Sequence, residues 1–328
     1  MMVTVGVVIP VYRCEDFVRG CIESVLAQTR AVDEIVLVDD RGGDRSIDIA
    51  VDTLNEHGRR HHVITQPRNG GLGRARNTGL AALTTDLVWF LDSDDTAEPT
   101  FVETLLTAML EADAQLSVTR TYRVDEHDRV LQIDEARPSS AVVTGPEYAH
   151  ELLRGRAKAY ACTKLFDRLS LGTDPWAQDQ AYEDIATGIR VALSVKRVAM
   201  VETPLYRYLY RPGSLSTGFS DTTFDLFTAD ADVRELVAGQ DRGAEWELDY
   251  LGFHYREVLT SIAHVAMRAR HDSAADPVLY RTAIDRVRRG ITLSDLPVLW
   301  AGRHRREVVF ALLMKISPAL YSAVLRFR

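Results

Sequence analysis

The chain has 328 residues, 46% of them apolar and 26% charged, with a formal net charge of −8. That length holds two ordinary domains or one large one with an extension, and the composition is that of a globular chain, not a disordered or fibrous one. The acidic balance excludes a general nucleic-acid binder, which grips its ligand by neutralising phosphates, and three scattered cysteines (Cys14, Cys21, Cys162) with nine histidines in no HExxH or CxxC spacing exclude a disulfide framework and a zinc cluster.

Cysteine usage of this kind predicts a reducing, cytoplasmic compartment. The longest apolar run, residues 308–314, is far short of the roughly 20 residues that a spanning helix needs. The start, MMVTVGVVIPVYRCED, lacks a basic n-region and reads as a first strand instead of a signal peptide.

Apolar runs and helical periodicities then alternate. Residues 3–9 are a continuous apolar strand closed by Pro10, and Phe17, Val18, Cys21, Ile22, Val25 and Leu26 recur along one helical face. A second strand over 35–38 ends at Asp39 and Asp40. A helix over 46–56, a strand over 62–66, a helix over 75–82 and a fourth strand over 87–91 follow. This repetition predicts an α/β fold with a mostly parallel sheet covered by helices on both faces. Farther on, the pattern predicts a helix over 101–112, paired strands over 116–123 and 129–133 around the turn 125–128, and a helix over 141–153. Short strands over 164–166 and 197–201 flank a helix over 182–194. Beyond the polar loop 211–218 the rest reads as helices, including 246–269 and 305–328, which divides the chain into an α/β domain over 1–220 and a helical region over 221–328.

Three of the first four strands end in polar chemistry: Pro10-Val11-Tyr12, Asp39-Asp40 and Asp92-Ser93-Asp94-Asp95. The ligand crevice of an open α/β sheet lies beyond the carboxyl ends of its strands, so these clusters are expected to converge. Three acids within four positions repel one another unless water or a cation intervenes. One Asp here fits an N-cap for the helix from about Thr100. The cluster as a whole fits a divalent cation, Mg²⁺ or Mn²⁺, held by one or two carboxylates while water and substrate phosphate oxygens fill the other positions. The stretch 69–79, NGGLGRARNTG, begins like a dinucleotide fingerprint but lacks its third glycine and follows the third strand, not the first. A glycine loop leading into a helix that packs, or that presents Arg76 to an anion, accounts for it better.

Together, VVIPVYRCEDFVRGCIESVLAQT, IVLVDD, NGGLGRARNTGL and VWFLDSDD, in that order, resemble the nucleotide-sugar-binding half of glycosyltransferase family 2, which has the GT-A fold. CTKLFDR, YEDIATGIRVAL and PLYRYLYRPGSLS are similar to bacterial members that build teichoic acids, capsules and other surface glycans. The resemblance covers about residues 3–220. It implies an inverting, metal-dependent transfer of a sugar from a nucleotide-diphospho-sugar, a UDP-sugar foremost, to the hydroxyl of a cell-surface glycan, wall polymer or lipid-linked precursor. By the resemblance, Pro10 and Tyr12 line the nucleobase site and Asp40, with Asp39 beside it, meets the base or ribose. Arg76 approaches the donor. Asp92, Ser93 and Asp94 are the D-x-D of the donor and its Mn²⁺ or Mg²⁺, with Asp95 sharing the metal. Asp184 of the Glu183-Asp184 pair is the general base, and Arg211, Ser214 and Ser216 match a loop that closes over the diphosphate. Arg41-Gly42-Gly43-Asp44 departs from the family's Ser-containing turn, and the Q-x-x-R-W signature of processive synthases is absent. A sugar-phosphate nucleotidyltransferase and a non-catalytic nucleotide-sugar-binding protein are the alternatives.

Trp176, Tyr182, Tyr206, Tyr208 and Tyr210 suit either sugar stacking on the acceptor side or a core, and Lys164 either a phosphate or an acid. The end of the chain, RHRREVVFALLMKISPALYSAVLRFR (303–328), has six Arg or Lys against one acid, with Pro318 dividing two helices. It reads as a basic amphipathic segment lying on the inner face of the cell membrane, or as a pair packing on its own domain or on a sister subunit of a homo-oligomer.

Overall fold

The first strand, β1 (Val5–Val11), is buried along its whole length and lies between β2 (Glu34–Asp39) and β4 (Leu87–Phe90), both parallel to it; β3 (His62–Thr65) adds in parallel beyond β2. Residues buried on both faces of a sheet lose the apolar-polar alternation, which is why this strand reads as an unbroken apolar run. The structure, a computed structural model, describes residues 3–211, 218–240, 243–270 and 276–325. Its contacts divide the chain into two units, one of residues 1–152 and 156–211, the other of 153–155 and 212–328.

In the first unit the connections are α1 (Val18–Leu26), α2 (Ser46–Glu56) and α3 (Gly71–Ala82). After β4 come β5 (Thr96–Ala97), α4 (Phe101–Glu111), β6 (Leu116–Val124), β7 (Val130–Ile133), β8 (Val142–Thr144), α5 (Gly145–Leu153), β9 (Lys164–Asp167), α6 (Arg168–Leu171), α7 (Glu183–Ser194) and β10 (Arg197–Leu209). The sheet order is β3-β2-β1-β4-β9-β6-β10-β5, with β7 on β6 and β8 on β10. It is parallel from β3 to β4 and mixed beyond, because β9 runs antiparallel to both β4 and β6. Trp89 stacks on Phe101 (4.6 Å) and donates its indole N–H to the Cys162 carbonyl (3.0 Å), while Phe90 meets Phe166 and Trp176 edge-on. These contacts fix the end of β4.

Three boundaries differ from expectation. Helix α3 starts at Gly71, not at 75: Gly71 has φ +76°, and its amide and that of Gly70 donate to Asp40, so orphan helix-start donors find partners across the sequence. Residues 142–144 are a strand on β10, because β-branched Val-Val-Thr suits the sheet edge. Thr144 and Glu147 then exchange the bonds of a capping box that starts α5. β10 continues through Pro204 to Leu209 by absorbing the proline in a register shift.

The second unit is helical: α8 (Asp225–Ala238), α9 (Ala244–Phe253), α10 (Ser261–Ala269), α11 (Pro277–Gly290), α12 (Leu296–Ala301), α13 (Arg305–Ile316) and α14 (Pro318–Leu325). A π-helical stretch, residues 254–260, joins α9 to α10, and the Thr260 hydroxyl donates five residues back to the Tyr255 carbonyl (2.7 Å). Pro318 opens α14, the position where a missing N–H costs nothing. Among the described residues, no helix is long and apolar enough to cross a membrane.

Candidate active site

The register that pairs Val11 with Asp39 and Val8 with Phe90 brings the ends of β1, β2 and β4 together, at the point where the chain order reverses across the sheet. Pro10 is buried in β1 opposite Val38, and Tyr12 emerges 41% exposed with the Arg13 guanidinium 5.2 Å from its ring. Asp39 and Asp40 part company here. Asp39 is half-buried and its carboxylate accepts from the Arg41 amide (2.9 Å). Asp40 is buried, and its two oxygens take the amides of Gly70 (2.8 Å) and Gly71 (3.0 Å). Its carboxylate therefore anchors the start of α3. Burial pushes its pKa up and those amides pull it back. Arg13 and Arg41, which the sequence reading gave no binding role, both hold left-handed backbone (φ +47° and +59°). Their Nε atoms donate to the Gly42 carbonyl (3.1 Å) and the Gln66 carbonyl (2.7 Å), knitting the loops after β1, β2 and β3 together.

The acidic cluster is a turn closed by the Asp95 amide donating to the Asp92 carbonyl (3.1 Å). It leaves Asp92 and Asp94 partly exposed and Ser93 and Asp95 buried. Asp95 accepts from the Tyr206 hydroxyl and from the Leu209 amide, both at 2.7 Å, so it ties β10 to the turn. Asp94 pairs with Arg211 (2.9 Å), whose guanidinium also lies over Phe17. Burial and the neighbouring Asp92 charge raise the Asp94 pKa, against the pull of Arg211. Cys162, some 70 residues distant and first residue of the CTKLFDR stretch, brings its sulfur within 4.8 Å of Asp92 and Asp95 oxygens. Burial drives its thiol pKa well up, and a soft thiol is a poorer match than carboxylate oxygen for Mg²⁺ or Mn²⁺.

One face of α3 explains the GRARN motif. Gly73, Arg76 and Asn77 stand at i, i+3 and i+4. A Cβ on Gly73 would lie 2.0 Å from the Ala177 carbonyl oxygen, so only glycine permits this approach. One turn on, buried Arg76 ion-pairs with Asp92 (2.7 Å) and with Glu183, and its guanidinium lies over Trp176 (5.3 Å). Asn77 exchanges both amide bonds with the Trp176 backbone (2.8 and 3.0 Å). Arg74 Nε, Arg76 Nε and Trp176 Nε1 are buried donors with no acceptor among the described residues. Each such group costs about 1–3 kcal/mol unless water or a ligand satisfies it.

Glu183 and Asp184 open α7, just after Tyr182 in a left-handed conformation (φ +59°). Burial raises the pKa of both carboxyls; Arg76 opposes it at each, and Lys164 also at Asp184. Glu183 is held by Arg76, whereas no side chain donates to Asp184 among the described residues. Lys164 is buried, donates to the carbonyls of Lys158 (2.7 Å) and Tyr160 (2.5 Å), and is pushed by burial down to about 8. Of the aromatic residues, Trp176 and Tyr206 are buried in the core, Tyr208 stacks on Tyr160 (5.8 Å), and Tyr210 lies under Arg123. Ser214 and Ser216 lie outside the described residues.

Acids and arginines thus gather at the sheet's switch point, where the ends of β1, β2 and β4 meet. The model of glycosyl transferase family 2 matches residues 6–170. The chain belongs to that family and is a glycosyltransferase, so the nucleotidyltransferase and non-catalytic alternatives fall away. It is 27% identical over 249 residues to glycosyltransferase GlyG of Streptococcus pneumoniae, covering 71% of this chain and 78% of that one. In fold it is similar to Staphylococcus aureus TarS 1-349 in complex with UDP-GlcNAc (TM-score 0.68, 16% identity, 96% of this chain and 91% of that one). It is also similar to the mannosyltransferase PcManGT of Pyrobaculum calidifontis in complex with GDP-Man and Mn²⁺ (TM-score 0.55, 13% identity, 95% and 86%).

Proposed function

We propose that the chain transfers a sugar, with inversion, from a nucleoside-diphosphate donor to an acceptor hydroxyl that Asp184 deprotonates. The observation that carries this reading is the division of labour in the Glu183-Asp184 pair: Arg76 holds Glu183, and among the described residues no side chain donates to the adjacent carboxyl. A general base must reach a proton, and an acid already bound to a guanidinium is ill suited to it. A base on one side and a departing phosphate on the other mean direct displacement at the anomeric carbon. Tyr12 and Asp39 supply the aromatic face and the available carboxylate for the nucleoside; Arg13 and Arg41 add positive charge at the same rim.

Asp92 and Asp94 suit a Mn²⁺ or Mg²⁺, being partly exposed hard oxygen donors two positions apart in one turn, whose mutual repulsion such an ion relieves. When bound, the ion neutralises charge on the departing diphosphate. Arg211, paired with Asp94, contributes a further cation at that edge. A UDP-sugar is the leading donor, supported by the UDP-GlcNAc bound to TarS; a surface glycan, wall polymer or lipid-linked precursor is the acceptor class.

A thermal-shift screen of UDP-, CDP-, GDP- and TDP-sugars with Mn²⁺ identifies the donor by the rise in melting point. With that donor, Asp184→Asn lowers kcat about 10²–10⁴-fold while calorimetric donor affinity is kept. Wild-type turnover in the variant refutes the assignment. A base must be deprotonated to act, so kcat/KM falls as pH drops through the pKa of Asp184, which burial raises from its ordinary value.

A further inference from the structure

The last helices of the second unit carry apolar side chains on two sides. Val308, Phe310, Ala311 and Met314 of α13 and Tyr321 of α14 are buried, with Phe310 edge-on to Tyr321 at 5.1 Å. Trp300, Val309, Leu312, Ile316, Leu320 and Val324 are nevertheless exposed, Ile316 to 71% and Trp300 to 58%. Val309, Leu312 and Ile316 recur at i, i+3 and i+7 and so form one stripe along α13; Leu320 and Val324 recur at i and i+4 along α14. A helix apolar on both its inner and its outer side needs something apolar to cover the outer one.

Charge identifies the cover. Arg305 lies over the Trp300 ring (5.6 Å), with exposed Arg303 and Arg306 beside it, at the start of the stripe. At the other end Arg288 of α11 donates to the Lys315 carbonyl (3.2 Å), adding a cation at the last turn of α13. Residues 277–328 hold ten Lys or Arg against three acids, in a chain whose net charge is −8. A sister copy meeting this face across a two-fold axis would set cation against cation. Exposed apolar stripes with tryptophan and arginine at their margins match the headgroup-acyl boundary of a bilayer with negative headgroups.

We propose that α12, α13 and α14 dock in the plane of an anionic lipid bilayer without crossing it. The inference is independent of the transfer chemistry and needs no donor. It is tested on the full chain by flotation with vesicles of equal parts phosphatidylglycerol and phosphatidylcholine, against pure phosphatidylcholine. The chain floats with the anionic vesicles, and high salt weakens the association. Arg303→Ala/Arg305→Ala/Arg306→Ala lowers the partition coefficient about a hundredfold, and Leu312→Glu/Ile316→Glu abolishes it, with melting temperatures unchanged because all five side chains are exposed. If the glutamate variant melts early, the arginine variant and the salt series carry the test alone. Absence of flotation, equal binding to neutral vesicles, or a wild-type dimer in sedimentation velocity that Ile316→Glu disperses overturns the proposal. Asp184→Asn floats like the parent, which separates this result from the fate of the base assignment.

Discussion

At the end of β2 and in the turn after β4 the chain does the same thing twice. Each place sets acids side by side, and in each one acid turns inward to hold the scaffold while its neighbours stay partly exposed. Asp40 binds the first amides of α3; Asp95 binds Tyr206 and the Leu209 amide of β10. Asp39, Asp92 and Asp94 keep partly exposed carboxylates. Crowded acids therefore need not share one role: burial and hydrogen bonding separate a structural carboxylate from a solvent-accessible one within a single dipeptide.

The strongest way to break this comparison is to remove the cation that holds Asp92 of the turn. Arg76→Gln leaves Asp92 and buried Glu183 without their partner and costs about 3–5 kcal/mol in urea unfolding; a loss below 1 kcal/mol would mean that the pair is replaceable. Next comes the inward acid of the turn. Asp95→Ala strands a buried hydroxyl and a buried amide and costs about 2–4 kcal/mol, while Asp94→Asn changes stability by less than about 0.5 kcal/mol but removes metal-dependent donor binding by calorimetry. At β2 the contrast is smaller. Asp40→Ala costs about 1–2 kcal/mol, as loss of a helix cap does, whereas Asp39→Asn leaves the melting curve in place and raises KM for the donor. If Asp39→Asn destabilises and Asp40→Ala weakens donor binding alone, the two roles are reversed.

The parallel half of the sheet was legible because buried strands and amphipathic helices leave opposite periodicities in the chain. Convergence of Tyr12, Asp39 and Asp92 followed from strand ends alone. What was not legible depended on partners far away in sequence. Nothing near Asp40 announces Gly70 and Gly71, nothing near Asp95 announces Tyr206, and nothing near Arg76 announces Glu183, 107 positions on. Likewise, glycines argue locally against helix, so the start of α3 was set four residues late; Asp40 supplies from outside what the segment lacks.

Gly73 has a mechanical consequence. With no room for even a methyl group before the Ala177 carbonyl, α3 and the segment leading to Asp184 are locked like meshed gear teeth. The helix and that segment then shift together or stay put, so on the proposed function the general base cannot move without α3.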